Sequence, residues 1–344
     1  MLQILLVGQE AAGAQILRSL IASTHRVVAV LTDEPKSLGE SASLAAPAAK
    51  AGLRVLPARS VREPGFASVV REHEVDLLLN VHSLHIVADA VLAAPRIGAF
   101  NLHPGPLPAY AGLNTPGWAI YNGETEYGVT VHWMEPGIDT GPIAFEERFP
   151  MPAKATPLSL AAECSRRGVA LLQRLIDCAQ DDPTAIPRKP QDLSARAYYA
   201  RAGVPQDGHV DWRRPAEQIA RLSRAFDYAP FVSPWGRPTA VICERRVEVS
   251  RLEPTGVVAD LPAGSHRVVD GSLRVACADE WIDVGHVFVD GARVSGSRLT
   301  CWVEQTSDVI RRRQSTQSDP NAGGSGGTRV TTTARRRRRR TGRS

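Results

Sequence analysis

The first hundred residues constrain the fold more than any other part of the chain. Short apolar runs at 2–7, 26–32, 53–56, 75–81 and 97–103 alternate with helical patterns at 11–22, 41–50, 66–73 and 86–93. The runs are almost continuously apolar rather than alternating, as expected of strands covered on both faces. Strands of that kind separated by helices make a parallel sheet, so the expected class is a doubly wound α/β domain. Gly8 and Gly13 follow the first run, but the stretch between them, Gln-Glu-Ala-Ala, lacks the middle glycine of a dinucleotide fingerprint and the lysine of a P-loop. A tight turn into a helix is the reading preferred there.

Beyond residue 100 the pattern changes. Residues 127–134 and 141–149 read as strands joined by a loop holding Pro136, Gly137 and Gly141, and 158–179 reads as a long helix. A Pro-, Arg- and Ala-rich stretch at 183–208 reads as a linker. A short helix at 214–226 and alternating strands over 239–303, with turns at Asp270-Gly271 and Asp290-Gly291, indicate a small β-domain of barrel type. The expected division is a catalytic domain at 1–182, a linker at 183–208, a β-domain at 209–305 and a low-complexity tail at 306–344.

Charge matters by location. Of 344 residues, 41 are Lys or Arg and 36 Asp or Glu, a net +5. The tail alone holds 11 Arg and two Asp, +9, which leaves the first 305 residues at −4. The tail, with its Gly-Ser run and Arg335–Arg340 block, cannot bury a core and is expected to be disordered. The five cysteines (Cys164, Cys178, Cys243, Cys277, Cys301) show no metal or disulfide spacing, and reduced thiols in the cytoplasm are the expectation. Cys164 and Cys178 fall in a helical pattern and read as packing. The apolar N-terminus lacks a cationic region before it and reads as a strand, and no apolar run is long enough to span a bilayer. No metal and no membrane partner are expected.

The chemistry lies in residues 99–141. Asn101 and His103 are two apart at the end of a predicted parallel strand, so both side chains share a face near the carboxyl edge, where open α/β sheets hold ligands. Pro104, Gly105, Pro106 and Pro108 then impose a stiff extended loop. Asp139 sits in a glycine-flanked turn after the next strand. An amide, an imidazole and a carboxylate placed together can run acyl transfer to an amine. The amide donates to a developing oxyanion, the imidazole moves the proton, and the carboxylate orients and charges the imidazole. No serine or cysteine is placed to intervene as a nucleophile, so direct transfer from a carrier is the economical route.

The same stretch resembles the signature of the folate-dependent formyltransferases: Asn-x-His-Pro at a strand end, a Leu-Pro loop, Gly-Val-Thr-x-His, then Asp-Thr-Gly. The resemblance covers roughly residues 1–305, implies a formyl-transfer domain followed by the family's C-terminal domain, and places Asn101, His103 and Asp139 on the family's catalytic residues. It implies 10-formyltetrahydrofolate as donor, with the pterin beside the fourth strand and the loop before the aspartate, here Val81, His82, Leu84, Ile86, Pro136 and Ile138. On the acceptor side it points to Gly105, Leu107 and Tyr110. His82 and His85 read equally as pocket or packing residues, His132 as structural or near the acceptor, and Trp212, Trp235 and Tyr228 as core or ligand contacts.

The loop reads Gly105-Pro-Leu-Pro108 and then Tyr110-Ala-Gly112, where methionyl-tRNA formyltransferases have Ser-Leu-Leu-Pro and an arginine before the glycine. That form resembles formylation domains of peptide synthetases and other secondary-metabolism enzymes. The insertion after the second strand, residues 33–40, is short and net acidic, whereas a tRNA needs several Lys or Arg contacts to phosphate. The expected acceptor is therefore a small-molecule or carrier-bound amine: an amino acid, a hydroxyornithine-type side chain or an amino sugar. Methionyl-tRNA is the alternative. A nucleic-acid-binding protein with an inactive domain is a remote third, and a formyl-folate hydrolase is disfavoured. Oligomeric state is left open.

Overall fold

The structure, a computed structural model, describes residues 1–33, 43–294, 298–299 and 301–303. Most of the acidic insertion and all of the Arg-rich tail read from the sequence lie outside these. Met1–Thr300 form one compact unit. The second, Cys301–Ser344, is described only at 301–303, a helical turn.

The first sheet is built from β1 (Gln3–Gly8), β2 (Arg26–Thr32), β3 (Val55–Pro57), β4 (Leu77–Val81), β5 (Gly98–His103), β7 (Glu126–Trp133) and β8 (Ile143–Pro150), with the two-residue β6 (Ala111–Gly112) outside it. The order is β3-β2-β1-β4-β5-β7-β8. The first five run parallel, and β7 and β8 are antiparallel. All of β4 is buried, and β1 nearly so, as the continuous apolar runs require. Helices α1 (Glu10–Ile21), α2 (Ala45–Lys50), α3 (Phe66–Glu72), α4 (Asp89–Leu92), α5 (Thr115–Asn122) and α6 (Pro157–Asp181) connect them.

Two covers follow from strand alternation. On one face Leu5, Val7, Leu31, Leu78 and Ala99 pack with Val61, Val70 and Val91 from the α3 and α4 side. On the other lie α1 and α6, tied by Ser19 Oγ donating to Gln173 Oε1 at 2.8 Å. Helix α6 starts at a capping box, Thr156 with Ser159, and comes so close to β5 that a Cβ on Gly168 would stand 2.5 Å from Leu102. Any larger residue there would force the Leu102 side chain to shift. Gly8 and Gly13 prove to be a close strand–helix approach against Leu44. The helix expected at 86–93 is only one turn, because Ala88 N–H bonds instead to the carbonyl of Val61 and the preceding residues stay irregular.

The connector after α6 carries β9 (Tyr198–Tyr199), which pairs in parallel with β6. Then α7 (Ala216–Ala225) and the strands β10 (Thr239–Ile242), β11 (Arg245–Val258), β12 (His266–Val269), β13 (Ser272–Ala276), β14 (Glu280–Val289) and β15 (Ala292–Val294) form an antiparallel curled sheet. Asp270-Gly271 and Asp290-Gly291 are two-residue hairpin turns with positive φ at both positions, the geometry that matches strand twist. Trp281 is fully buried in this half, and Ser223 Oγ on α7 accepts from Leu252 N–H of β11 at 3.3 Å. Helix α7 also meets α5, where Gly117 leaves room for Trp235. Trp212, 7% exposed, bonds the Val241 carbonyl, so it packs as core.

Candidate active site

The strand register creates the site. Asn80 of β4 stands beside Asn101 of β5, which stands beside His132 of β7. Residues level with one another on neighbouring strands point to the same face, so three polar side chains form a row where the apolar cover of Leu78 and Ala99 gives out. His103, two residues beyond Asn101, shares that face.

The hydrogen bonds along the row orient one another. His132 Nδ1 lies 2.7 Å from the Trp133 carbonyl and must donate to it. In the neutral ring Nε2 is then an acceptor, so Asn101 presents its amide nitrogen at 3.1 Å. That turns Asn101 Oδ1 towards Asn80 Nδ2, which donates at 2.8 Å. Asn101 thus has one amide hydrogen left for a ligand. Asn80 was not among the residues expected from the sequence, although a lone amide inside Leu-Leu-Leu-Asn-Val was a visible signal.

Asp139 arrives by an unexpected route. Because β7 is antiparallel, its end lies away from the carboxyl edge of β5, and the hairpin loop 134–142 folds back across the face. Asp139 Oδ1 lies 3.4 Å from His132 Nε2, and Oδ2 lies 3.6 Å from His103 Nδ1 and accepts from Gly112 N–H at 2.8 Å. His103 Nε2 donates to the Tyr110 carbonyl at 2.5 Å, which leaves Nδ1 facing the carboxylate.

Burial shapes the electrostatics. It pushes the His103 pKa below the ordinary 6.5, against the pull of Asp139 and the Tyr110 carbonyl, so the resting imidazole is neutral. For Asp139, burial favours the acid, but the cationic forms that His103 and His132 take in acid, together with the Gly112 amide, hold its carboxyl well below the usual carboxylate range. A neutral base beside a permanent anion can receive a proton and be stabilised once charged.

The other expected residues are distributed as follows. Gly105 is buried, and a Cβ there would stand 2.9 Å from both His103 Nε2 and the Tyr110 carbonyl. Leu107 packs with Ala111 and Ile143. Tyr110 is buried too, its hydroxyl donating to Glu124 at 2.7 Å and its ring stacked on Tyr199 at 5.4 Å. The loop therefore meets the site through backbone atoms of residues 110 and 112. Val81 is buried at the end of β4. His82 has φ 59, its Nδ1 is 3.1 Å from Glu10, and its buried Nε2 has no partner among the described residues. Leu84 and Ile86 are 58% and 70% exposed, Pro136 is exposed, and Ile138 is 40% exposed. His85 Nε2 pairs with Asp33 at 2.6 Å. Cys164 is inert packing, its thiol pushed up to about 12 by burial. Trp235 and Tyr228 join an aromatic cluster with Trp118 and Phe226. No group of side chains able to hold a metal occurs among the described residues, and no described helix is long and apolar enough to cross a membrane.

Comparison with known proteins places the chain in a family. The formyl transferase family matches residues 2–176, and the family's C-terminal domain matches 204–320. The chain is 36% identical over 219 residues to a methionyl-tRNA formyltransferase of Synechococcus sp. (strain JA-3-3Ab), covering 63% of this chain and 65% of that one. It therefore spans just under two thirds of that relative's length. It is 32% identical over 272 residues to a methionyl-tRNA formyltransferase of Roseiflexus sp. (strain RS-1), covering 76% of this chain and 83% of the other. In fold it resembles the N-formyltransferase of Helicobacter canadensis, solved with folinic acid and dTDP-3-aminofucose (TM-score 0.63, 16% identity, 84% of this chain and all of that one). It also resembles HypX from Aquifex aeolicus, solved with tetrahydrofolic acid (TM-score 0.54, 17% identity, 87% of this chain and 46% of that one). With both of its domains matched, this chain belongs to the formyl transferase family.

Proposed function

We propose that the chain transfers a formyl group from 10-formyltetrahydrofolate to the amine of a small-molecule or carrier-bound acceptor, in the cytoplasm. The observation that carries this reading is the row Asn80–Asn101–His132, closed by Asp139 against a buried, neutral His103. The acceptor nitrogen attacks the formyl carbon, and the carbonyl oxygen gathers negative charge where the free hydrogen of Asn101 can meet it. The attacking nitrogen loses its proton to His103 Nδ1, and Asp139 stabilises the imidazolium. His103 then returns the proton to the departing folate nitrogen as the bond from that nitrogen to the formyl carbon breaks, giving formylated amine and tetrahydrofolate. In this reading the imidazole starts neutral, because burial lowers the His103 pKa, and gains its charge from the attacking amine.

The donor suits the loop after β4. His82 Nε2 is a buried polar atom free for a ligand, and Leu84 and Ile86 offer exposed apolar surface next to it. For the acceptor, residues 97–147, which hold Asn101, His103, the proline loop and Asp139, contain no Lys or Arg, which suits a small amine better than a polyanion. The second reading, methionyl-tRNA, is favoured by the names of the sequence relatives and the matched C-terminal domain. The test is mass spectrometry of a panel (amino acids, hydroxyornithine, a dTDP-amino sugar and methionyl-tRNA) incubated with the donor. A small amine gaining the mass of a formyl group in place of hydrogen supports the first reading. Formylation of methionyl-tRNA alone overturns it in favour of the second.

A further inference from the structure

The connector between the two family-matched regions is built into the site. Lys189 exchanges backbone hydrogen bonds with Ile143 at 2.8 and 3.0 Å, and Trp133 Nε1 donates to the Pro187 carbonyl at 2.8 Å. Farther on, Ala111 N–H donates to Ala197 at 3.0 Å and Leu113 N–H to Tyr199 at 2.9 Å. The connector is thus anchored both beside the hairpin that carries Asp139 and beside the loop whose backbone meets His103 and Asp139.

Between those anchors two side chains reach the Asp139 turn. Gln191 Nε2 donates to the carbonyls of Asp139 at 3.0 Å and Gly141 at 2.6 Å, and Arg196 Nη2 donates to the Ile138 carbonyl at 2.9 Å. Asp139 has φ 55, a left-handed conformation that a non-glycine residue holds only when its surroundings enforce it. Pro136, Gly137 and Ile138 are exposed, so packing alone does little to hold the turn. One NH2 group bridging two carbonyls two residues apart supplies that restraint. The orientation of the amide is required, since its oxygen in the same place would face two other oxygens.

We propose that Gln191 is a positioning residue for the reaction: its amide locks the left-handed turn that aims the Asp139 carboxylate at His103 and His132. Neither family-matched region includes it. The proposal rests on reading Asp139 as the anion beside the proton-carrying imidazole, and the test keeps the two apart. In the full chain, Gln191→Met preserves length and removes both donors. Its folding is checked by thermal denaturation and by stoichiometric binding of 5-formyltetrahydrofolate, which should stay within about three-fold of wild type, the scale of a site whose binding contacts are intact.

Two readouts then decide the proposal. Transfer from 10-formyltetrahydrofolate to the best acceptor of the panel should lose kcat by roughly ten- to a hundred-fold with the donor KM unchanged, the scale expected of a misplaced catalytic group. Independently of any acceptor, carbon NMR of labelled aspartate should show Asp139 titrating at higher pH than in wild type, because the carboxylate leaves the Gly112 amide and both imidazoles. A Gln191→Met protein with wild-type kcat and an unmoved Asp139 titration overturns the proposal. Full activity in Asp139→Asn overturns the reading of Asp139 instead, while the NMR titration still decides whether Gln191 positions it. Gln191→Glu supplies a further check: its deficit relative to wild type at the same pH should be large at neutral pH and shrink in acid, where its carboxyl gains a hydrogen to donate.

Discussion

Asn101 makes a hydrogen bond on each side within the sheet and keeps one donor over, while His103 is held by a backbone carbonyl and watched by a carboxylate. Asn101→Ala removes the oxyanion donor and should lower kcat by roughly 10²–10³, measured by steady-state transfer; turnover within a few-fold of wild type would rule out its proposed role. The pH profile follows from the direction of the shifts. His103 must be neutral to accept a proton, and its pKa lies below 6.5. Activity should therefore rise with pH through a midpoint under 6.5, apart from any limb due to the acceptor amine. Asp139 raises the His103 pKa, so Asp139→Asn should slow transfer and move that limb to lower pH. A move to higher pH would contradict the assignment. Stability follows the same sign. Both groups titrate lower in the folded protein than in the unfolded chain, so acidification below about 6.5 for the histidine, and below the ordinary carboxylate range for the aspartate, costs stability.

At the scale of elements, the site depends on one short pairing. Gly112, at φ 98, donates to Asp139 while β6 lies against β9, and a Cβ on it would collide with the Tyr199 carbonyl. Gly112→Ala should cost about 1–3 kcal/mol in denaturant unfolding, the scale of enforced backbone strain, and should lose activity beyond what the unfolded fraction explains. Wild-type stability and rate would mean that the β6–β9 pairing is not needed. The row Asn80–Asn101–His132 shows how far the sequence could be read at this scale. Strand alternation put Asn101 and His103 on one face, and that much was legible. The level of β4 and β7 against β5 was not, because register is set by tertiary packing of both faces, and with it went Asn80 and the place of His132. Gln191 was invisible for another reason: it lies in a connector whose composition carries no periodic signal.

Across the whole molecule, the cationic charge sits in the tail and a mildly acidic body carries the site. If the acceptor is a small amine, transfer should change by less than about two-fold between roughly 50 and 200 mM salt, where a ligand held by six to ten phosphate contacts would lose about 10³–10⁵ in affinity. A chain ending at residue 320, the limit of the family match, should keep the rate of the full chain. A steep salt dependence, or loss of activity on truncation, would return the tail and a polyanionic acceptor to consideration.

The sequence by itself determined the architecture and named the candidate reactive groups. Apolar runs buried on both faces leave little alternative to a parallel sheet, and the order of amide, imidazole and carboxylate around a proline loop is written in neighbouring residues. Only the tertiary structure decided which state those groups are in and what holds them. The lowered pKa of His103 comes from burial, the direction of the Asn101 amide from a partner 31 residues later on the neighbouring strand, and the bond on the Asp139 turn from a connector residue 52 positions later. Those are properties of distance and solvent exclusion, and neither exists until the chain has folded.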